Sequence, residues 1–293
     1  MAYSKDKAKQ IYADVLENGV ACAASLNCIS VDSVKRAVRI ATEGSVVEPA
    51  LHKATFIGQE EGPVLIIPDL HAPYHHPQAI EFLKWVHKEF GCQERVVCSG
   101  DIMDFHAQSR HVSEVDAWNP KKEYQKAIAF TEELCEVFPK GDLVCGNHDL
   151  VPQRQMKEIG LLPSMLKESH DLYGMGEDWN IHPLFHVIDP EGWNVLVEHG
   201  IGSGGKYGCA NTAKEKRCSY VQGHTHSAAA VIYSSNYNST IFGMNVGCLV
   251  DHESLAMRYG KYGTRKGVLG CGLVYSGQSA EFIHISRWPD YKG

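Results

Sequence analysis

The chain has 293 residues, 44% of them hydrophobic and 22% charged, which is enough to bury a sizeable core and close to the composition of ordinary globular proteins. A disulfide-stapled miniprotein, a disordered chain, a collagen and a coiled coil are all excluded on those grounds. The formal net charge of -7, from 35 Asp and Glu against 28 Lys and Arg, argues against coating nucleic acid through global electrostatics and leaves only a local basic surface for such a role.

Apolar runs such as those at 64–67 and 195–197 fall far short of the roughly 20 residues that a membrane helix needs. The N-terminal MAYSKDKAKQIYADV carries no signal-peptide apolar block. A cytoplasmic protein without membrane contacts is therefore expected. The ten cysteines include no CxxC pair, and their closest spacing is the six-residue step of Cys22/Cys28 and Cys92/Cys98, so neither a disulfide framework nor a thiolate zinc site is supported. Cys98, Cys145, Cys248 and Cys271 stand in apolar, strand-like stretches, where a reduced thiol serves as a small buried hydrophobe.

Residues 1–43 read as three short helices. Apolar residues recur at helical spacing through Ile11, Val15 and Leu16, pause at Asn18-Gly19, resume in VACAASL, and return in Val34, Ala37, Val38 and Ile40 after Ser30 or Asp32 as a candidate N-cap. The order Ala23-Ala24, Leu26, a turn, Ile29-Ser30 and Val34 resembles a helix-turn-helix DNA-binding unit, whose recognition helix would carry Lys35, Arg36 and Arg39. The alternative is a helical appendage that packs on the main domain or mediates oligomerisation. Residues 44–62, with Gly44, Pro49, Gly58 and Gly62, read as a linker, and the main domain runs over 63–293.

From Val64 the pattern alternates. The strand VLII is followed by a helix near Gln78–Phe90, the strand RVVCS, a helix near Lys121–Phe138 entered through Pro120, and the strand DLVC. After residue 180 short strands dominate (LFHVI, WNVLVE, SYVQG, AAVIYS, TIFGMNVGCL, GVLGCGLVYSG and EFIHIS), with one further helix near Asn211–Arg217. Alternation followed by a strand-rich half predicts an α/β fold with two sheets packed face to face and helices outside.

Each of five strands ends on polar residues: Asp69-Leu70-His71, Gly100-Asp101, Gly146-Asn147-His148-Asp149, His199-Gly200 and Gly223-His224-Thr225-His226. Ligands of open α/β sheets gather at carboxyl ends of strands, so these groups can meet in one cleft. Imidazoles, carboxylates and one amide, with no thiolate, suit borderline to hard divalent ions. There are too many for one ion, and two ions roughly 3.5–4 Å apart sharing a carboxylate would use them all.

The ordered set DxH, GD, GNHD, H and GHTH, spread over roughly residues 64–275, resembles the calcineurin-like metallophosphoesterase superfamily. That resemblance implies an αββα four-layer sandwich and two divalent ions, manganese first, with iron, nickel, zinc or magnesium also compatible. By position it implies Asp69, His71 and His226 on one ion, Asp101 as the bridge, and Asn147, His199 and His224 on the other. It further implies His148 as a non-ligand histidine at the leaving-group oxygen, with Asp149 holding its ring, and in-line attack on phosphorus by a metal-bridging hydroxide.

More loosely, a short helical segment ahead of this domain is similar to phage or prophage members. GDIMDF, in place of a VDRG-like continuation, disfavours a protein phosphatase, and Asp104 is expected to brace the metal loop. His106, Arg110 and His111 on the loop after Asp101, and Lys206 in GIGSGGKYG, are candidate phosphate or base contacts. The expected activity is that of a phosphodiesterase or nuclease on nucleic acid or nucleotides. The alternatives are a phosphomonoesterase, or a DNA-binding or assembly protein with a vestigial phosphoesterase fold.

Overall fold

Alternation within single strands builds the layers. The computed structural model describes residues 62–108, 119–188, 194–254 and 266–292, together with Lys7, Gln10 and Ile11. The chain divides into two compact units, Met1–Lys53 and Ala54–Gly293, and everything below lies in the second. The helix-turn-helix-like reading of 1–43, with Lys35, Arg36 and Arg39, and nearly all of the 44–62 linker fall outside the described residues, as do Arg110 and His111.

Eleven strands are named in chain order among the described residues: β1 Val64–Ile67, β2 Val96–Cys98, β3 Gly141–Val144, β4 Trp179–His182, β5 Phe185–Ile188, β6 Val195–Glu198, β7 Ser219–Gln222, β8 Ala229–Ser235, β9 Thr240–Val246, β10 Gly270–Ser276 and β11 Ser279–His284. They form two mixed sheets, ordered β11-β10-β1-β2-β3-β4 and β5-β6-β7-β9-β8. β1 to β4 run parallel, as do β6, β7 and β9, while β10, β11, β5 and β8 join antiparallel.

The period of two in β1 sends Val64 and Ile66 into the layer between the sheets, where they meet Val97, Val144, Val197, Val221, Phe242 and Met244. Leu65 and Ile67 point the other way, into a second core built with helices. That outer layer consists of α1 (Ala79–Glu89) and α2 (Pro120–Val137), and α1 buries Ala79, Phe82, Leu83 and Val86 at helical spacing. Asn119 caps α2 by accepting from the Lys122 amide at 2.9 Å, with Pro120 at the first helical position.

Two shorter helices, α3 (Val151–Glu158) and α4 (Ser169–Tyr173), follow β3, and α5 (Gly208–Lys216) covers the opposite face of the second sheet through Cys209, Ala213 and Tyr220. The predicted helix–sheet–sheet–helix sandwich is the observed architecture. Cys98, Cys145, Cys248 and Cys271 are free and buried. No described helix is long and apolar enough to cross a membrane.

The sequence reading passes over β4, α3 and α4. α3 is eight residues, VPQRQMKE, and buries only Val151 and Pro152, too few for a helical period to register. β4 carries WNIH, three of its four residues able to hydrogen-bond, and α4 is a single turn and a half. α5 also begins earlier than expected, inside the glycine-rich stretch, and its backbone at Cys209 lies directly on Gly243 of β9, where no larger residue would fit.

Candidate metal centre

The polar strand ends converge on one rim. Asp69, Asp101 and Asn147 follow β1, β2 and β3 of the first sheet; His199 and His224 follow β6 and β7 of the second. Parallel strands in each sheet place all five carboxyl ends on the same side, which is how residues 69 to 226 become neighbours.

Three groups of ligand atoms result, one of them His71, Asp104 and His148, and the other two hold the predicted ligands. Asp69, His71 and His226 offer atoms within 4.8 Å of one another, and so do Asp101, His199 and His224. In the first group, His226 Nε2 lies 2.9 Å from Asp69 Oδ2 and 3.2 Å from His71 Nε2. In the second, His199 Nε2 lies 3.0 Å from Asp101 Oδ2 and 3.1 Å from Asn147 Oδ1. Asp101 Oδ2 also reaches to 3.5 Å from His71 Nε2, so one carboxylate oxygen faces both groups.

The local backbone is bent to make this possible. His71, Asp101 and His224 all adopt left-handed φ, at 50°, 49° and 63°, a region that costs a non-glycine residue on the order of 1–3 kcal/mol and collects at functional sites. Gly146 and Gly223 have a different reason. A Cβ at Gly146 would overlap Asp101 Oδ1, and one at Gly223 would overlap Asp69 Oδ1. Those two glycines in GNHD and GHTH make room for the carboxylates.

The donor set fits two divalent ions. Two imidazole Nε2 atoms 3.2 Å apart cannot both hold protons there, and Asp69 Oδ1 is buried with no hydrogen-bond partner. The remaining ring nitrogens are used for orientation: His71 Nδ1 donates to Asp104 Oδ1 at 2.6 Å and His199 Nδ1 to the Ser99 carbonyl at 3.0 Å, leaving each Nε2 lone pair facing the site.

His148 sits beside the first group, its ring centroid 4.6 Å from that of His71. Asp149 does not hold its ring, contrary to the sequence expectation. The Asp149 carboxylate accepts instead from the backbone amides of Met103 at 3.0 Å and Gly146 at 2.8 Å, stitching the GD loop to the GNHD loop. The ring is held by Asp104, whose carbonyl takes Nδ1 at 2.7 Å and whose Oδ1 lies at 3.1 Å. Three residues beyond Asp101 is the right reach for this, because the turn returns the chain under both His71 and His148. Arg154, which the sequence reading did not single out, hydrogen-bonds the Asn147 carbonyl at 2.6 Å and props the same loop.

Of the remaining candidates, His106 is buried, edge-on to Tyr74 and 3.8 Å from Asp104 Oδ2, so it forms the wall behind the site rather than an open substrate surface. Lys206 is exposed on the loop before α5, its ammonium 5.4 Å from the Tyr207 ring.

Charge in the site is strongly coupled. Burial pulls His199 down, but the Asp101 and Asp69 charges outweigh it and raise the group to about 9. Burial likewise pulls His226 down, and the hydrogen bond to Asp69 with the Asp69 and Asp101 charges overcomes it, so that His226 is raised. Burial pulls against Asp101, yet His199, His71 and His148 hold its carboxyl below the usual range. Burial and the Asp101 charge together push Asp149 up to about 7.

A testable consequence concerns protons. With its pKa raised above the ordinary 6.5, His199 of the metal-free protein is protonated below about 9 and deprotonated above it. Coordination requires the Nε2 lone pair, so addition of manganese at pH 8 should release about one proton per chain from His199, fewer at pH 10. A pH-stat titration in weak buffer measures this, and no release at pH 8 would contradict metal binding through His199.

No protein-family model matches the sequence, and no curated protein does. Among solved structures, the chain is similar to the zinc-complexed Vps29 of Entamoeba histolytica, at 14% identity and a TM-score of 0.38 over 76% of this chain and 99% of that one. It is also similar to the protein of unknown function AQ665 from Aquifex aeolicus, at 15% identity and a TM-score of 0.30 over 60% of this chain and 82% of that one.

Proposed function

We propose that this protein is a two-metal-dependent phosphoesterase, specifically a phosphodiesterase that acts in the cytoplasm on nucleic acid or nucleotides, with manganese as the first candidate ion. The observation that carries the reading is the Asp101 carboxylate, whose Oδ2 faces His199 at 3.0 Å and His71 at 3.5 Å and so joins two ligand groups into one centre. Asp69, His71 and His226 would hold one ion, Asn147, His199 and His224 the other, with Asp101 between them. Bound there, the ions would supply Lewis-acid charge at a phosphoryl group and a nucleophile at neutral pH.

The chain's own contribution is positional. Asp104 and Ser99 fix the rings of His71 and His199, and Asp149 and Arg154 fix the loops that carry Asp101 and Asn147. His148, with Nδ1 engaged by Asp104 and a side chain 26% exposed, keeps Nε2 as the edge from which a proton can pass to a departing oxygen. The preference for diesters of nucleic acid draws support from the GNHD and GHTH motifs and from the helix-turn-helix-like reading of residues 1–43.

The test compares bis-p-nitrophenyl phosphate with p-nitrophenyl phosphate, using metal-stripped full-length protein resupplied with manganese, followed by single-stranded and duplex DNA, RNA and cyclic nucleotides. Diester-selective, manganese-dependent turnover that extends to one of the nucleic-acid substrates is expected. Hydrolysis of the monoester alone would sink the diester reading, and no turnover of any ester with any of the candidate ions would sink the enzyme.

A further inference from the structure

A second histidine–carboxylate cluster, which shares no residue with the two ligand groups of the rim, lies where the edges of the two sheets meet. Asp142 is in β3, His182 ends β4 and His186 is in β5, so the cluster spans the last two strands of the first sheet and the first strand of the second. Their ligand atoms lie within 4.8 Å of one another.

The two imidazoles stack with centroids 4.3 Å apart, which turns both Nε2 atoms toward the same carboxylate. His182 Nε2 is 2.7 Å from Asp142 Oδ1, and His186 Nε2 is 3.8 Å from Oδ2. A tetrahedral ion with bonds of about 2.0–2.1 Å sets its ligand atoms roughly 3.3 Å apart, and the two observed spacings bracket that value.

His186 is the informative member. It is 3% exposed and its Nε2 is buried without any hydrogen-bond partner, a state that costs stability unless something occupies the lone pair. Asp142 is fully buried and is oriented from outside the cluster: Arg95 Nε donates to Oδ2 at 2.6 Å and Asn180 to Oδ1 at 3.0 Å, while the other Arg95 nitrogens are tied to the Gly141 and Asp178 carbonyls. That leaves Arg95 as a brace on a ligand carboxylate, the usual role of an outer hydrogen-bond partner in a metal site. The His182 side chain, 18% exposed, opens the cluster to solvent.

We propose that Asp142, His182 and His186 form a separate mononuclear site for a borderline divalent ion such as zinc, clipping the edge strand of one sheet to the edge strand of the other. Three protein ligands leave a fourth position for water. Two imidazoles and one carboxylate suit zinc over magnesium or calcium, and the absence of thiolate distinguishes the site from a Cys-type structural zinc. The role is structural, because the ion would tie β3, β4 and β5 together at the point where the chain passes between sheets.

Zinc content after equilibration with zinc and gel filtration, measured by mass spectrometry of full-length protein, tests this separately from the centre on the rim. Wild type should hold one equivalent that survives Asp101→Asn and is lost in His186→Gln and in His182→Gln. Zinc should also raise the Tm of Asp101→Asn by more than it raises the Tm of the His186→Gln/Asp101→Asn double variant. If His186→Gln fails to fold, the partly exposed His182→Gln carries the decision. Equal zinc content in Asp101→Asn and in its His182→Gln derivative would overturn the proposal, whatever the phosphoesterase assays show.

Discussion

Replacing Asp101 with Asn should abolish manganese-dependent diester hydrolysis while leaving the protein folded. The rate should fall by at least about 10³, the upper range for loss of one pre-organised charge-stabilising group. Folding should survive for two local reasons. Asn is among the residues that best tolerate left-handed φ, and Asp101 sits at 49°. An Asn Oδ1 can still accept from the His148 amide, which now donates to Asp101 Oδ1 at 2.8 Å. What is lost is the oxygen common to both ligand groups, replaced by an amide that presents hydrogens to His199 and His71. The same substitution removes the charge that lifts His199, so His199 should titrate closer to 6.5 and manganese should release fewer protons at pH 8. Circular dichroism, metal content and the pH-stat trace together decide the matter. A folded Asp101→Asn protein with two bound ions and an undiminished rate would refute the bridging role.

The layers and the rim were legible in the sequence because each is written in short-range pattern. Short buried strands such as VLII and SYVQ stop at Pro68 and Gly223 and are followed by polar side chains, and parallel strands force such ends together wherever they lie in the chain. The two-sided burial of β1 explains why VLII is apolar at every position instead of alternating. The partner of His148 was not legible. Asp149 is adjacent in sequence, but adjacency on a turn points the two side chains apart. Asp104, 44 positions earlier, comes to the ring because the GD loop doubles back beneath it. The Asp142 cluster was equally hidden. His182 and His186 are separated by a sheet-to-sheet crossing, Asp142 by a strand pairing, and no spacing rule links the three. Arg154 acts through a backbone carbonyl, which leaves no trace in residue type.

His148→Ala should keep both ions and lose about 10² to 10⁴ in turnover, the usual worth of one proton-transferring group. No candidate ligand depends on its ring, and its backbone amide, which serves Asp101, is untouched by the substitution. Asp104 is the positioning residue behind it. Burial works against a charged His148, but its hydrogen bond to Asp104 and the charges of Asp101 and Asp104 raise the group to about 10. Asp104→Asn weakens that support, so the alkaline limb of kcat should move to lower pH, whereas Asp149→Asn, whose contacts are to Met103 and Gly146, should leave the limb in place. Asp104→Asn should also weaken metal binding about 10- to 100-fold, because Asp104 Oδ1 orients His71 at 2.6 Å. At saturating manganese the two effects separate. If Asp104 acts on turnover through His148, the Asp104→Asn/His148→Ala double variant should be no slower than His148→Ala alone. A multiplicative loss in the double variant would mean that Asp104 reaches the reacting group by a route that does not pass through His148.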